Sequence, residues 1–258
     1  MSKIFKIVGG LVVVIALAIS AVFLMTSGLA SRADDFFTKV KSGEYPAAYE
    51  MLSDDFKATT TQEQLQQFLQ ANALTTFKES TWNNRSISGS RGELIGSITT
   101  ESGGVVPVSI AFVKGGDEWK IYGISKPKSG IQEESSSKNL PAESEQIQLV
   151  KDTMHLFAQS VSEQSMATLY AEISNFWKKQ FSQQQMTETF QAFYQFGNAL
   201  MVVDQQTPIL SEKAVLNDSG FLVLKGYYAT QPSQLKFTNK YIYEGVAWKL
   251  VGINVNIE

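Results

Sequence analysis

One pattern of apolar positions occurs twice along the chain, and the elements it predicts occur twice with it. The first copy reads Phe36, Val40, Gly43, Tyr45, Ala48, Tyr49, Leu52, Ser53, Phe56. The second reads Phe157, Val161, Gln164, Met166, Leu169, Tyr170, Ile173, Ser174, Trp177. Every pair is 121 residues apart, without a gap. A match at one fixed spacing marks a duplicated structural unit.

In the first copy, Phe36, Phe37 and Val40 have helical spacing. Gly43 suits the helix end, with Lys39 and Lys41 in the last turn. Tyr45, Ala48, Tyr49 and Leu52 follow at i, i+3, i+4 and i+7, which predicts a second helix with Pro46 in its first turn. Thr61 caps a third, with Gln64 at capping-box distance and Leu65, Phe68 and Leu69 on the buried side. The pattern then changes to period two. Strands are predicted over 79–88, 93–99, 105–113 and 119–125, with Val106, Val108, Ile110 and Phe112 on one face. Gly115-Gly116-Asp117 is a turn, and Pro107 places its strand at an edge or beside a bulge.

The second copy repeats the plan. Met154, Phe157 and Val161 open it, and Met166, Leu169, Tyr170 and Ile173 repeat the second-helix stripe. Ser182 stands where Thr61 stood, followed by Met186, Phe190 and Phe193. Strands are predicted over 209–215, 220–228, 234–243 and 247–256. Trp119-Lys120-Ile121 in the last strand is matched by Trp248-Lys249-Leu250, now 129 residues away. The second copy has therefore gained about eight residues in its middle strands, the usual place for insertions.

Ahead of both copies, residues 7–30 carry no charge. About 20 apolar residues span a bilayer core, so the run predicts a transmembrane anchor. Lys3 and Lys6 precede it, and Asp34 and Asp35 follow. The positive-inside bias places the N-terminus in the cytoplasm and the rest outside it, periplasmic or extracellular. The rival is a cleaved signal peptide, with small residues at Gly28-Leu29-Ala30 and Ser31-Arg32-Ala33. Between the copies, Pro127, Gly130, Ser135, Ser136, Ser137 and Pro141 sit among Lys and Glu and read as a flexible linker. The division is 1–30 anchor, 31–125 first domain, 126–146 linker and 147–258 second domain. On this division a cut at residue 30 leaves both cores intact.

Three helices followed by a curved antiparallel sheet make an α+β unit. That order, the helix end Ala48-Tyr49-x-x-Leu52-Ser53-x-x-Phe56 and the closing strand Gly116-x-x-Trp119-Lys120-Ile121 resemble the nuclear transport factor 2-like superfamily. The similarity is nearest to its secreted or membrane-anchored bacterial members. The resemblance implies two tandem cone-shaped domains, in which helices close one end of the sheet over an apolar pocket. Some members of the superfamily isomerise, dehydrate or hydrolyse small molecules there, and others only bind, dimerise or act as interaction platforms. The enzymes carry an Asp, an Asp–His or an Asp–Tyr–Arg set in the pocket. None of these transfers to a position of this chain.

Composition narrows the chemistry. There is no cysteine, which excludes disulfides, thiolate catalysis and cysteine-ligated metals. A single histidine, His155, excludes a multi-histidine metal site. A net charge of −3 with scattered basic residues gives nucleic acid no purchase. Phosphate-loop, dinucleotide, nucleophile-elbow and zinc-protease motifs are missing.

Each remaining candidate has a plain structural reading beside it. His155 has no orienting partner in sequence and reads as a boundary residue. Tyr49 and Tyr170 recur and could donate to a ligand, but a core tyrosine bonded to a carbonyl fits the same stripe. Ser53 and Ser174 recur as turn or capping residues. Trp119 and Trp248 alternate with Ile121 and Leu250 and read as core. The pairs Asp54-Asp55 and Glu133-Glu134 lack calcium-ligand spacing. Glutamines over 62–70 and 180–185 form a solvated face that could also meet a partner. No catalytic, cofactor-binding or metal residue is assigned, and no cofactor is expected.

The expectation is a membrane-anchored extracytoplasmic binding or interaction module without catalysis, with envelope proteins as possible partners. A small-molecule carrier or sensor using a cone pocket is the alternative, and a hydrolase or isomerase the third reading. Tyr122, Ile124, Val251 and Ile253 give the last strands apolar outer faces, from which the two domains are expected to dock on each other.

Overall fold

The computed structural model describes residues 27–127 and 140–258. They divide into two compact units. The first holds the described residues up to Lys57 and Thr61–Lys126, and the second holds Ala58–Thr60 and the described part of Pro127–Glu258.

The first unit begins with helix α1, over 27–41. Leu29, Ala33, Phe36, Phe37 and Val40 form one buried stripe along it, while Ser31, Asp35 and Lys41 are exposed. Phe37 meets Phe36 edge-on at 5.2 Å and stacks on Phe77 at 5.7 Å. Gly43 ends the helix at φ 75°, and the Glu44 N–H reaches back to the Lys39 carbonyl at 2.9 Å.

This helix corrects the reading of the N-terminal part. No helix among the described residues is long and apolar enough to cross a membrane. The expected transmembrane helix, the signal-anchor topology and the extracytoplasmic placement are set aside on that finding. Residues 7–26 of the proposed run lie outside the described residues. Residues 27–30 belong instead to an amphipathic helix whose Leu29 is fully buried, so a cut at residue 30 removes a core side chain. Both small-residue triplets considered as cleavage sites lie within the same helix.

The stripe expected from Tyr45 to Leu52 is not one helix. α2 covers Tyr45–Tyr49 and α3 covers Asp54–Thr59. Between them the chain leaves the helix to pair with the sheet: Leu52 bridges Ile121, and the Ser53 N–H donates to the Ile121 carbonyl at 2.8 Å. α4, Gln62–Ala71, carries the expected capping box, with Thr61 N–H to Gln64 Oε1 at 2.8 Å and Gln64 N–H to Thr61 Oγ1 at 3.3 Å. An antiparallel sheet follows in the order β1 (Phe77–Ser88), β2 (Arg91–Thr100), β3 (Val105–Gly115), β4 (Glu118–Ser125). Pro107 lies where β3 pairs with β2 only, because β4 pairs with β3 from Ser109 onward.

The second unit repeats this order with one addition. Its helices are α5 (Glu143–Ser162), α6 (Ala167–Glu172), α7 (Asn175–Lys178) and α8 (Gln183–Phe190). Ser182 and Gln185 reproduce the capping box. A 3-10 helix, Gln191–Gln205, kinked at Gly197, then stands between α8 and the sheet. The strands are β5 (Ile209–Leu210), β6 (Val215–Leu216), β7 (Leu222–Tyr228), β8 (Leu235–Glu244) and β9 (Ala247–Ile257). β7, β8 and β9 are consecutive antiparallel neighbours, and both β5 and β6 pair with β7. The single strand expected over 209–215 is split, because the chain between its two ends, Ser211–Ala214, leaves the ladder. Both sheets carry a bulge at the same place in their last pairing, beside Phe112 in the first and Tyr241 in the second. Phe157 anchors the second core, edge-on to Phe190 and Phe193 at 5.3 Å each.

Candidate functional site

A cavity of about 130 Å³ opens in the second unit. α5 turns Val150, Met154 and Phe157 into the core, which leaves Leu149, Thr153 and Leu156 on the adjoining flank, facing the cavity. Leu169 on α6 and Ile173 just after it close one side. Tyr241 on β8 and Trp248 and Leu250 on β9 close another, with Trp248 held edge-on to Tyr243 at 5.3 Å. Three charges line the same space: Asp152, Glu172 and Lys249. Lys249 Nζ lies 3.4 Å from Glu172 Oε2, and Gln148 Nε2 donates to Asp152 Oδ1 at 2.7 Å.

The polar wall of the cavity is a hydrogen-bonded chain. Tyr241 donates its hydroxyl to the Leu149 carbonyl at 3.1 Å. The same oxygen accepts from Asn239 Nδ2 at 3.1 Å and lies 2.9 Å from Thr153 Oγ1. Asn239 is fully buried, and its Oδ1 has no partner among the described residues; nor has the hydroxyl of buried Tyr228. Burial holds the Tyr241 hydroxyl well above the ordinary tyrosine range. Tyr228 is raised by burial and then by the charges of Asp204 and Asp152. Both phenols therefore stay protonated at neutral pH and are hydrogen-bonding groups, not bases. The carboxylates at the cavity are exposed. Among the described residues the wall of the cavity offers an apolar surface and hydrogen-bonding groups.

No family model matches the chain, and no curated protein matches it. The geometry therefore carries the functional reading alone.

The structure disperses the candidates picked out in sequence. His155, half-exposed on α5, has an orienting partner that sequence did not show: its Nδ1 lies 3.0 Å from both Asp204 oxygens. It stands outside the cavity wall, and among the described residues its hydrogen bonds go to Asp204 alone. Tyr49 and Tyr170 are half-buried, and each lies beneath a lysine eight positions on: Lys57 over Tyr49 at 5.6 Å and Lys178 over Tyr170 at 5.8 Å. The Tyr49 hydroxyl reaches the Lys57 carbonyl at 3.4 Å. Ser53 Oγ accepts the Phe56 N–H and Ser174 Oγ the Trp177 N–H, both at 3.1 Å, so these serines are caps. Trp119 and Trp248 are half-buried, and Trp248 packs against the second core. Asp54 and Asp55 begin α3, where a helix N-terminus favours carboxylates. Glu133 and Glu134 lie outside the described residues. Among the described residues no group of three or more His, Asp or Glu is placed to hold a metal ion.

Sequence reasoning missed the cavity and one buried acid. Glu244 is fully buried and accepts the N–H groups of Asn175 and Phe176 at 2.8 and 3.2 Å, capping α7. The hydroxyl pair on the cavity wall, though not the cavity itself, left a signal in the repeat. At the 121-residue spacing Arg32 stands at the position of Thr153, and at the 129-residue spacing Phe112 stands at that of Tyr241. The hydroxyl pair is thus particular to the second copy. In the first, Arg32 Nη2 reaches Glu118 Oε2 at 3.4 Å.

Proposed function

We propose that this chain is a non-catalytic binding protein built from two copies of one α+β unit, with a small-molecule site in the second. The observation that carries this is the cavity itself: a half-open hollow lined mainly by apolar side chains, with a hydroxyl pair on its wall. The order of helices and sheet, met twice, supports a nuclear transport factor 2-like fold for each copy. Fold alone assigns no activity. The test is a thermal-shift screen of the full chain against small amphipathic fragments. Fragments that occupy the cavity raise the second unit's transition by mass action. Leu156→Trp fills the half-exposed side of the cavity and abolishes those shifts. A screen in which no fragment shifts the wild-type protein, or in which Leu156→Trp responds as wild type does, overturns the reading.

A further inference from the structure

We infer that the ligand of the second-unit cavity is a small primary amine bound as its ammonium ion, with an apolar body about the size of a benzyl group. The inference rests on the binding reading above and names its ligand class.

The first step is a count of protons. Tyr241 has one hydroxyl proton, and the Leu149 carbonyl, which can only accept, takes it. The Tyr241–Thr153 bond must then be donated by Thr153. Tyr241 also accepts from Asn239, so its oxygen is saturated. Thr153 has spent its only proton, and what it offers the cavity is lone pairs. It is 6% exposed, so those lone pairs are screened from bulk water. A ligand group meeting them must be a donor.

The second step is charge. Lys249 is committed to Glu172. Asp152 follows Thr153 in sequence, lines the same cavity, and pairs with no lysine or arginine among the described residues. Its side-chain bond is to the neutral amide of Gln148. Lys178, the other nearby cation, is turned to the Ala171 carbonyl at 2.6 Å and the Tyr170 ring and does not line the cavity. The unmatched charge is therefore negative and lines the same cavity as the acceptor hydroxyl. A neutral alcohol satisfies Thr153 alone; an ammonium satisfies Thr153 and Asp152 together. The apolar side chains of Leu149, Leu169, Ile173 and Trp248 receive the body of the ligand.

The test is calorimetric titration of the full chain at neutral pH with benzylamine and with its uncharged isostere, benzyl alcohol. Benzylamine is expected to bind about tenfold more tightly, and Asp152→Asn to remove that advantage while leaving benzyl alcohol unchanged. Asp152 is exposed, so this variant is expected to fold as wild type does. If benzyl alcohol binds as tightly as benzylamine, or if Asp152→Asn leaves benzylamine binding unchanged, the amine assignment fails and the binding reading stands. If neither compound binds but other fragments in the screen do, the assignment fails alone. If nothing binds, both fail.

Discussion

The two copies keep the same backbone devices and differ in the side chains at one site. Ser53 and Ser174 cap the same short helix, and the N–H of each reaches the last strand of its own sheet, at Ile121 and Leu250. The capping boxes of Thr61 and Ser182, the bulges beside Phe112 and Tyr241, and the lysines over Tyr49 and Tyr170 also recur. Against that constancy, Thr153 and Tyr241 stand where Arg32 and Phe112 stand in the first copy, and a 3-10 helix is added between α8 and the sheet. The constant set satisfies backbone donors and acceptors that any chain with this topology must satisfy. The variable set lines the cavity or lies where no ladder bond constrains it.

The largest effect expected tests the likeness. Leu52 and Ile173 hold the same position and are each 1% exposed. Leu52→Ala and Ile173→Ala should each cost about 2–5 kcal/mol. Two compact units need not unfold together, so each variant should lower one transition in a denaturant titration and leave the other in place. Both variants moving the same transition would contradict the division into two units.

The next sharpens a difference. Glu244 caps α7 from β8, and the first copy has Gly115 at that position. Glu244→Ala should destabilise the second unit by about 1–3 kcal/mol, because two N–H groups at the start of α7 lose their acceptor. Glu244→Gln keeps one acceptor oxygen and should recover part of the loss. A Glu244→Ala midpoint equal to that of the wild type would show that the cap contributes nothing.

Tyr241→Phe converts the cavity wall to what the first copy carries. At neutral pH it should cost about 1–3 kcal/mol, since the Asn239 amide and the Thr153 hydroxyl lose their acceptor. The alkaline limb gives a second readout. An unfolded tyrosine titrates near its ordinary value of 10.0, and burial raises Tyr228, Tyr241 and Tyr243 above it. Between the two values the folded state holds protons that the unfolded state has released. Stability is therefore undiminished below about pH 10 and falls as the pH rises beyond it. Tyr241→Phe should make that fall shallower in the second unit. An unchanged slope would mean that Tyr241 does not titrate with unfolding.

How far the sequence spoke depended on whether a feature was local. The capping boxes, the strand turns and the helix end at Gly43 were legible because each rests on a few neighbouring residues. The break between α2 and α3 was not, because Leu52 leaves the helix for a strand nearly seventy positions away. Residues 27–30 were misread for a different reason. Their lack of charge extends the apolar run before them, and only the packing of Leu29 shows which element they join. The 3-10 helix follows from Phe193, Phe196, Leu200 and Val203, whose three- and four-residue spacing departs from the alternation of a strand. The cavity required knowing that α5, α6 and the β8–β9 hairpin meet, and no spacing along the chain states that.

The smallest effect concerns the turn that ends the first long helix in each copy. Gly43 and Gln164 are equivalent, with φ of 75° and 52°. Around them the bonds match: Glu44 N–H to Lys39 carbonyl at 2.9 Å, and Ser165 N–H to Ser160 carbonyl at 3.0 Å. A side chain in this left-handed region costs about 1–2 kcal/mol. Glycine avoids that strain but loses about 0.5–1 kcal/mol more in chain entropy on folding. The balance predicts a gain of roughly 0.5–1 kcal/mol for Gln164→Gly and an equal loss for Gly43→Gln. Space does not enter, since a Cβ on Gly43 would meet nothing within 4 Å. Opposite shifts of similar size, each in its own unit's transition, would show that the two turns are one device with a different residue in it. Shifts of the same sign would show that the surroundings, not the backbone angle, set the preference at this position.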